Sequence, residues 1–173
     1  TLGIQAYGKV GRLVGSKAAA LGMKVRALDP FMSPEQIQAA GAESVQDIKE
    51  LYSGSDFVSI HIPATPQTIK SIGRELICSM PKGAVLINTA RKEVIDEQGL
   101  MEALELRPDL KYVCDVAPDN YALLKEKFGL RVFATPKKMG AQTAEANINA
   151  GLAAARQIVS FLKDGCTRFQ LNK

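Results

Sequence analysis

The stretch Leu2-Gly3-Ile4-Gln5-Ala6-Tyr7-Gly8-Lys9-Val10-Gly11 decides the fold of this 173-residue chain. An apolar strand runs into a glycine turn and opens directly into a helical pattern from Arg12 to Leu21. A second strand, Lys24 to Leu28, then ends on a carboxylate, Asp29. Each part has a physical use in holding a dinucleotide. The glycines let backbone approach a pyrophosphate, the helix start offers free N–H groups and a positive dipole, and the acid takes ribose hydroxyls. Strand, glycine turn, helix, strand and terminal acid in register are much more specific than a glycine triplet alone.

The usual Gly-x-Gly-x-x-Gly spacing is altered, because Ala6 holds the first position while Gly8 and Gly11 hold the others. One extra methyl is accommodated if the backbone at Ala6 keeps a negative φ, and that is the expectation. Asp29 is followed by Pro30 and Phe31, with no Arg or Lys beside it. This favours NAD, since a 2′-phosphate would meet a carboxylate and no cation.

Outward from this unit, short apolar runs alternate with helical patterns. Strands are expected at Leu2–Ala6, Lys24–Leu28, Phe57–Ile62, Ala84–Asn88, Tyr112–Val116 and Val132–Ala134. Helices are expected at Lys9–Leu21, Pro34–Ala40, Val45–Tyr52, Ile69–Ile77, Asp96–Leu104 and Tyr121–Phe128. Near-continuous apolar strands separated by helices predict an α/β, doubly wound parallel sheet of Rossmann type, a single domain covering residues 1–173. A long last helix is expected from about Thr143 to Asp164, stopped by Gly165, with Ile148, Leu152, Ala155, Val159 and Leu162 forming an apolar stripe. Such a stripe is core by default, and its sharper reading is a dimer contact.

Composition narrows the function classes. Hydrophobic residues make up 46% and charged residues 23%, and the net charge of +4 arises from 22 basic and 18 acidic residues without a basic stripe. Nucleic-acid binding is therefore unsupported. No apolar run reaches membrane-spanning length and no secretory leader opens the chain. Cys78, Cys114 and Cys166 are far apart and odd in number, as expected of reduced cytoplasmic thiols and not of a disulfide frame or metal site. The chain lacks an initiator Met, and nothing before the first strand could wall a substrate over the cofactor. It reads as an excised domain whose tail, from about residue 165, returns to a substrate domain.

Ligands of doubly wound sheets sit beyond the carboxyl ends of the strands. Polar signatures gather at those ends here: His61-Ile62-Pro63-Ala64-Thr65, Asn88-Thr89-Ala90-Arg91, Asp115 and Thr135-Pro136-Lys137-Lys138. Their gathering on one edge predicts a site. With the opening fingerprint, these stretches resemble the D-2-hydroxyacid dehydrogenases along nearly the whole chain. The most specific segments are Ile87-Asn88-Thr89-Ala90-Arg91, followed by Val94-Ile95-Asp96-Glu97, and Ser55-Asp56-Phe57-Val58-Ser59-Ile60-His61. Within that family the chain is most similar to the short, lysine-type 3-phosphoglycerate dehydrogenases, which oxidise a 2-hydroxyl with NAD at the start of serine synthesis.

The resemblance implies a site residue by residue. Arg91 would clamp the α-hydroxy acid, gripping its carboxylate by paired hydrogen bonds. Asp115 would hold the nicotinamide carboxamide. Tyr7, Gly8, Lys9 and Val10 would line the pyrophosphate with Gly11 behind them, and Asp29 and Pro30 would meet the ribose. Ile62, Pro63 and Thr65 would flank the cofactor, Thr89 and Ala90 the nicotinamide, and Gly140 would complete the cofactor set. His61 would be cofactor-near or structural. The partners implied are a small 2-hydroxy acid and a second copy, as a homodimer through the nucleotide-binding domain.

Two residues of the family pattern are absent. A His is usual after Thr-Pro, where Lys137 stands, and a Glu is usual five residues beyond the acid, where Asn120 stands. The two changes are chemically consistent. A Glu beside a lysine would hold the ammonium charged, whereas a neutral Asn removes that penalty, and the cations Lys138 and Arg91 push the amine toward its neutral, basic form. Counting from Thr135-Pro136 selects Lys137 as acid/base; counting back from Gly140-Ala141 selects Lys138. Asp119 is a further candidate for the missing acid, and Lys92 stands where the family has Gly. Two other readings remain open: a related glyoxylate or hydroxypyruvate reductase, and a catalytically silent NAD sensor.

Overall fold

In the computed structural model, which describes residues 1–136, 140 and 142–171, the alternating pattern builds a seven-stranded, all-parallel sheet. The elements are β1 (Leu2–Gln5), α1 (Lys9–Ala20), β2 (Val25–Leu28), α2 (Pro34–Ala39), β3 (Glu43–Ser44), α3 (Ile48–Ser53), β4 (Phe57–Ile60), α4 (Arg74–Cys78), β5 (Val85–Asn88), α5 (Glu97–Leu106), β6 (Lys111–Cys114), α6 (Tyr121–Phe128), β7 (Val132–Ala134) and α7 (Ala144–Asp164). The strand order is β3-β2-β1-β4-β5-β6-β7. The chain winds outward from β1 to β3, returns to place β4 beside β1, then winds the other way. Right-handed crossovers therefore cover both faces, and the direction reverses between β1 and β4.

Side-chain alternation makes the two covers visible on β1. Leu2 and Ile4 enter a cluster with Ala18 of α1 and Ile37 of α2. Gly3 points the other way, where a Cβ would lie only 2.4 Å from Ser55 Oγ and 3.3 Å from Leu51 of α3. The larger cluster joins Val58, Ile60, Leu86 and Tyr112 of the sheet to Leu51, Ile77, Leu100 and Leu124 of the helices. Both clusters lie within the first of two compact units, Thr1–Lys137 and Lys138–Lys173.

Local chemistry moves several boundaries from their expected places. The Val45–Tyr52 helix starts late, at Ile48, because Asp47 caps it by accepting the Glu50 N–H at 2.9 Å. The residues before it form β3, too short to show an alternating pattern. The helix expected at Ile69–Ile77 is confined to Arg74–Cys78: Ile72 forms a parallel bridge with Ile95, and Gly73 caps the helix from an extended conformation.

The glycine turn departs from expectation in one respect. Ala6 has φ +72°, in the left-handed region, and not the negative φ that would make an alanine harmless. The position keeps the backbone shape that a glycine supplies freely, so the alanine is strained by about 1–2 kcal/mol. The cause is the closeness of α1: a Cβ on Gly11 would lie 2.4 Å from the Ala6 carbonyl oxygen, and one on Gly15 would lie 2.7 Å from Tyr7 Oη.

In the second unit, Thr143 caps α7 by accepting the Ala146 N–H at 3.0 Å, and Gly165 ends it at φ +64°. No residue of α7 is buried. Within its own unit the stripe stays open, with Ile148 61% and Leu162 75% exposed. Among the described residues, no helix is long and apolar enough to cross a membrane.

Ala6→Gly should stabilise the fold by about 0.5–1 kcal/mol, the strain relieved minus the entropy glycine adds to the unfolded chain. Urea denaturation of both proteins checks this. A lower midpoint for the glycine variant would contradict the strain at Ala6.

Candidate functional site

The sheet ends on one level. Gln5 is in register with Leu28 and Ile60, Ile60 with Asn88, Asn88 with Cys114, and Cys114 with Ala134. The next residue of each strand therefore reaches a common edge: Ala6, Asp29, His61, Thr89, Asp115 and Thr135. Five of the six are within the polar stretches singled out from sequence or are the fingerprint acid, and Ala6 opens the glycine turn.

At the reversal point a cleft of about 720 Å³ is lined by Ala6, Gly8–Gly11, Asp29–Phe31, His61–Pro63, Thr65, Gln67 and Thr68. The two glycines that face it serve different ends. Gly11 is required by packing, as shown above. A Cβ on Gly8 would meet nothing within 4 Å, and its φ of −70° suits any residue. No protein contact demands a glycine there, so the open space beside Gly8 is free for a ligand to approach the backbone. Gly8 caps α1 with no side-chain hydrogen bond, and the first turn carries no acid. The starting N–H groups of a 12-residue helix are thus left for an anion.

Asp29 closes this region. Its Oδ2 accepts the Tyr7 N–H and its Oδ1 the Phe31 N–H, both at 2.8 Å. Each carboxylate oxygen keeps a further lone pair for a hydroxyl. Tyr7, expected to line a pyrophosphate, instead turns inward: it is fully buried and its hydroxyl donates to the Ala40 carbonyl at 3.1 Å. Arg12, from α1, lines a second cavity together with Asp29. Arg12 was hidden because it belongs to α1, a full turn past Gly8, and not to the loop after β2.

The loop after β4 is knitted by Thr68, whose hydroxyl donates to the Pro63 carbonyl at 2.6 Å and accepts the Thr65 N–H at 2.8 Å. His61 contacts Ser59 Oγ through Nε2 at 2.9 Å, and burial holds its imidazole below the ordinary pKa of 6.5.

On the other half of the edge, buried Asn88 organises the turn that carries Arg91. Its Nδ2 donates to the Arg91 carbonyl at 2.9 Å and its Oδ1 accepts the Ala90 N–H at 3.0 Å. Arg91 itself is exposed, its guanidinium donating to the Ala90 carbonyl at 2.9 Å. Lys92 pairs with Asp119, joining the turns after β5 and β6. In that pairing the Asp119 carboxylate is engaged and largely exposed. Glu97 accepts the N–H groups of both Asp119 and Asn120, at 2.8 and 3.1 Å. Asp115 Oδ1 and Asn120 Oδ1 are buried without a hydrogen-bond partner among the described residues. A buried acceptor left so is unfavourable by about 1–3 kcal/mol, which a bound N–H donor would remove. Lys137 and Lys138 lie outside the described residues. Gly140 is exposed, in a turn of the second unit.

Residues 1–142 match the family model of the D-isomer specific 2-hydroxyacid dehydrogenase, NAD binding domain. The chain belongs to this family. It is similar to the D-3-phosphoglycerate dehydrogenases of Methanocaldococcus jannaschii and Bacillus subtilis, at 39% and 34% identity, each match covering 94% of this chain and 31% of the relative. Among solved structures it is similar to the NAD+-bound 3-phosphoglycerate dehydrogenase of Entamoeba histolytica, with a TM-score of 0.87 and 45% identity over 99% of this chain and 54% of the other. The chain thus spans about a third of those sequence relatives and about half of that structure. The chain is thus an NAD-binding domain of that family.

His61 is the only histidine, so its C2 proton resonance reports one group. It should titrate below pH 6.5. Because the folded pKa of this base is depressed, the unfolded chain binds more protons in acid, and stability should fall as pH drops below about 6.5. His61→Gln should flatten that decline. A midpoint at or above 6.5 would contradict the burial of the ring.

Proposed function

We propose that this chain is the NAD-binding domain of a D-3-phosphoglycerate dehydrogenase that oxidises the 2-hydroxyl of 3-phosphoglycerate. The observation that carries the cofactor assignment is the cleft at the β1–β4 reversal, with space beside Gly8, an uncapped helix start and a fixed carboxylate at Asp29. The substrate assignment is supported by the relatives named above. The whole of residues 1–173 is read as the nucleotide-binding domain, its tail from about 165 leading back to a substrate domain.

The residues present fit NAD. The N–H groups opening α1 would hold the pyrophosphate, and the second lone pairs of Asp29 the adenosine ribose. Pro30, Phe31, Ile62 and Pro63 offer apolar walls, and the unpartnered Asp115 Oδ1 suits the nicotinamide carboxamide. NAD, when bound, supplies the hydride acceptor. Arg91 would grip the substrate carboxylate, its exposed guanidinium being free to turn while Asn88 fixes its backbone. Lys137 or Lys138 would take the hydroxyl proton. A carboxylate at position 120 would favour the charged form of a neighbouring amine, and the neutral Asn120 would not. The three free thiols fit a reducing, cytoplasmic setting, and a homodimer through this domain would cover exposed apolar surface.

Two experiments test this reading. Gly8→Ala should lose no more than about 1 kcal/mol of stability, the N-cap difference, yet weaken NAD by about tenfold or more in calorimetric titration. Unchanged NAD affinity would remove the pyrophosphate from this turn. In the complete enzyme, alanine at Lys137 or at Lys138 should lower kcat by about 10²–10⁴ with little change in NAD affinity. Full activity in both variants would end the lysine mechanism.

A further inference from the structure

Residues 61–73 join β4 to α4 and carry one wall of the cofactor cleft, through Pro63, Thr65, Gln67 and Thr68. In this stretch only Ile62 and Ile72 are buried, one near each end. The far end is fastened by backbone. Ile72 bridges to Ile95, and Lys70, in the left-handed region at φ +52°, donates its N–H to the Glu93 carbonyl at 2.9 Å. Between the two anchors no side chain is buried, so polar contacts set the shape of the wall, and they converge on Thr68. Its hydroxyl oxygen lies 2.6 Å from the Pro63 carbonyl, 2.8 Å from the Thr65 nitrogen, 3.1 Å from the Thr65 hydroxyl and 3.3 Å from the Thr65 carbonyl. Its carbonyl accepts from the Ser71 hydroxyl at 2.8 Å, which ties the same residue to the far end.

A hydroxyl has one proton to give and two lone pairs to fill, so these contacts assign their own directions. The Thr68 proton goes to the Pro63 carbonyl, the nearest acceptor. The Thr65 N–H takes one lone pair. The Thr65 hydroxyl can then only donate to the other. Thr68 is saturated by this arrangement, and Thr65 Oγ1, its own proton spent, has only lone pairs to offer the cleft. We infer that Thr68 is a positioning residue for the dinucleotide. It holds the wall from Pro63 to Gln67 in shape and orients the Thr65 hydroxyl as an acceptor for an O–H group of the cofactor. A ribose hydroxyl meets that requirement, whereas a phosphate oxygen, which brings no proton, finds no donor at Thr65. The inference rests on the NAD reading of the cleft and adds to it a residue that acts on the cofactor through another.

Calorimetric titration of the full chain with NAD tests this. Thr68→Val keeps the branched shape and removes the hydroxyl. It should weaken NAD by about fivefold or more, the scale of one lost hydrogen bond. Thr68→Ser keeps the proton and the lone pairs but loses the methyl, and it should bind NAD within about twofold of the parent, a rescue that a role in packing alone would not give. Thr65→Val should weaken NAD by about threefold or more. Combined with Thr68→Val it should cost less than the product of the two single effects, because both substitutions remove the same acceptor. The inference is overturned if Thr68→Val binds NAD as the parent does, if Thr68→Ser is as weak as Thr68→Val, or if the two valine effects multiply in full. Should Thr68→Val fail to fold by circular dichroism, Thr65→Val decides, and an unchanged affinity there refutes the acceptor role. Gly8→Ala keeps the two readings apart. If it weakens NAD while Thr68→Val does not, the cofactor cleft stands and this inference falls. A parent that binds no NAD refutes the NAD reading itself, and this inference with it.

Discussion

The close seating of α1 on the end of β1 is the constraint from which the cofactor cleft follows. With no side chain at Gly11, the helix comes within a distance of the Ala6 carbonyl that a single Cβ would forbid. That seating aims the first turn of α1 into the cleft and sets the chain between strand and helix on a tight path. Ala6 must turn left-handed on that path, and Tyr7 must bury its ring beneath Gly15 while giving its N–H to Asp29. One aspartate thus fastens the turn from the side of β2 and still has lone pairs for a ribose. In the proposed reading, turn and ribose share this carboxylate, so a change to one would touch the other.

Much of this was legible in the residues. The glycine turn, the acid after β2 and the alternation of apolar runs specify a parallel, doubly wound sheet, and the polar stretches do lie together at the carboxyl ends of its strands. What was not legible depends on side chains meeting across the fold. Ala6 could be taken for a relaxed residue because its strain is set by a carbonyl and a helix and not by its neighbours in sequence. Arg12 looked remote from Asp29, since 17 positions separate them, yet the βαβ unit brings both to one cavity. Thr68 and Asn88 carry no sequence signal of their roles: each works by hydrogen bonds to the backbone of a loop that has to be folded first.

The second half of the edge is organised by polar contacts in place of apolar packing. Asn88 holds the Arg91 turn from below, Lys92 and Asp119 tie that turn to the next loop, and Glu97 gathers two N–H groups of that loop at the start of α5. Exposed Arg91 therefore hangs from a rigid backbone, with freedom kept for its side chain alone. Asp115 and Asn120 sit within this framework with acceptors still open.

The common finishing level of the strands bears on how this domain can change over evolutionary time. Adding or deleting one residue inside β5 would rotate Asn88 to the opposite face of the sheet and carry Arg91 along by one pleat. The same holds for Asp29 in relation to β2 and for Asp115 in relation to β6. Insertions and deletions should therefore be tolerated best in the connections at the far rim, around Gly22, Gly54, Gly83 and Arg107, where a longer or shorter turn leaves the carboxyl ends of the strands where they were. Lineages descended from this fold should vary in length at one pole and in side-chain chemistry at the other.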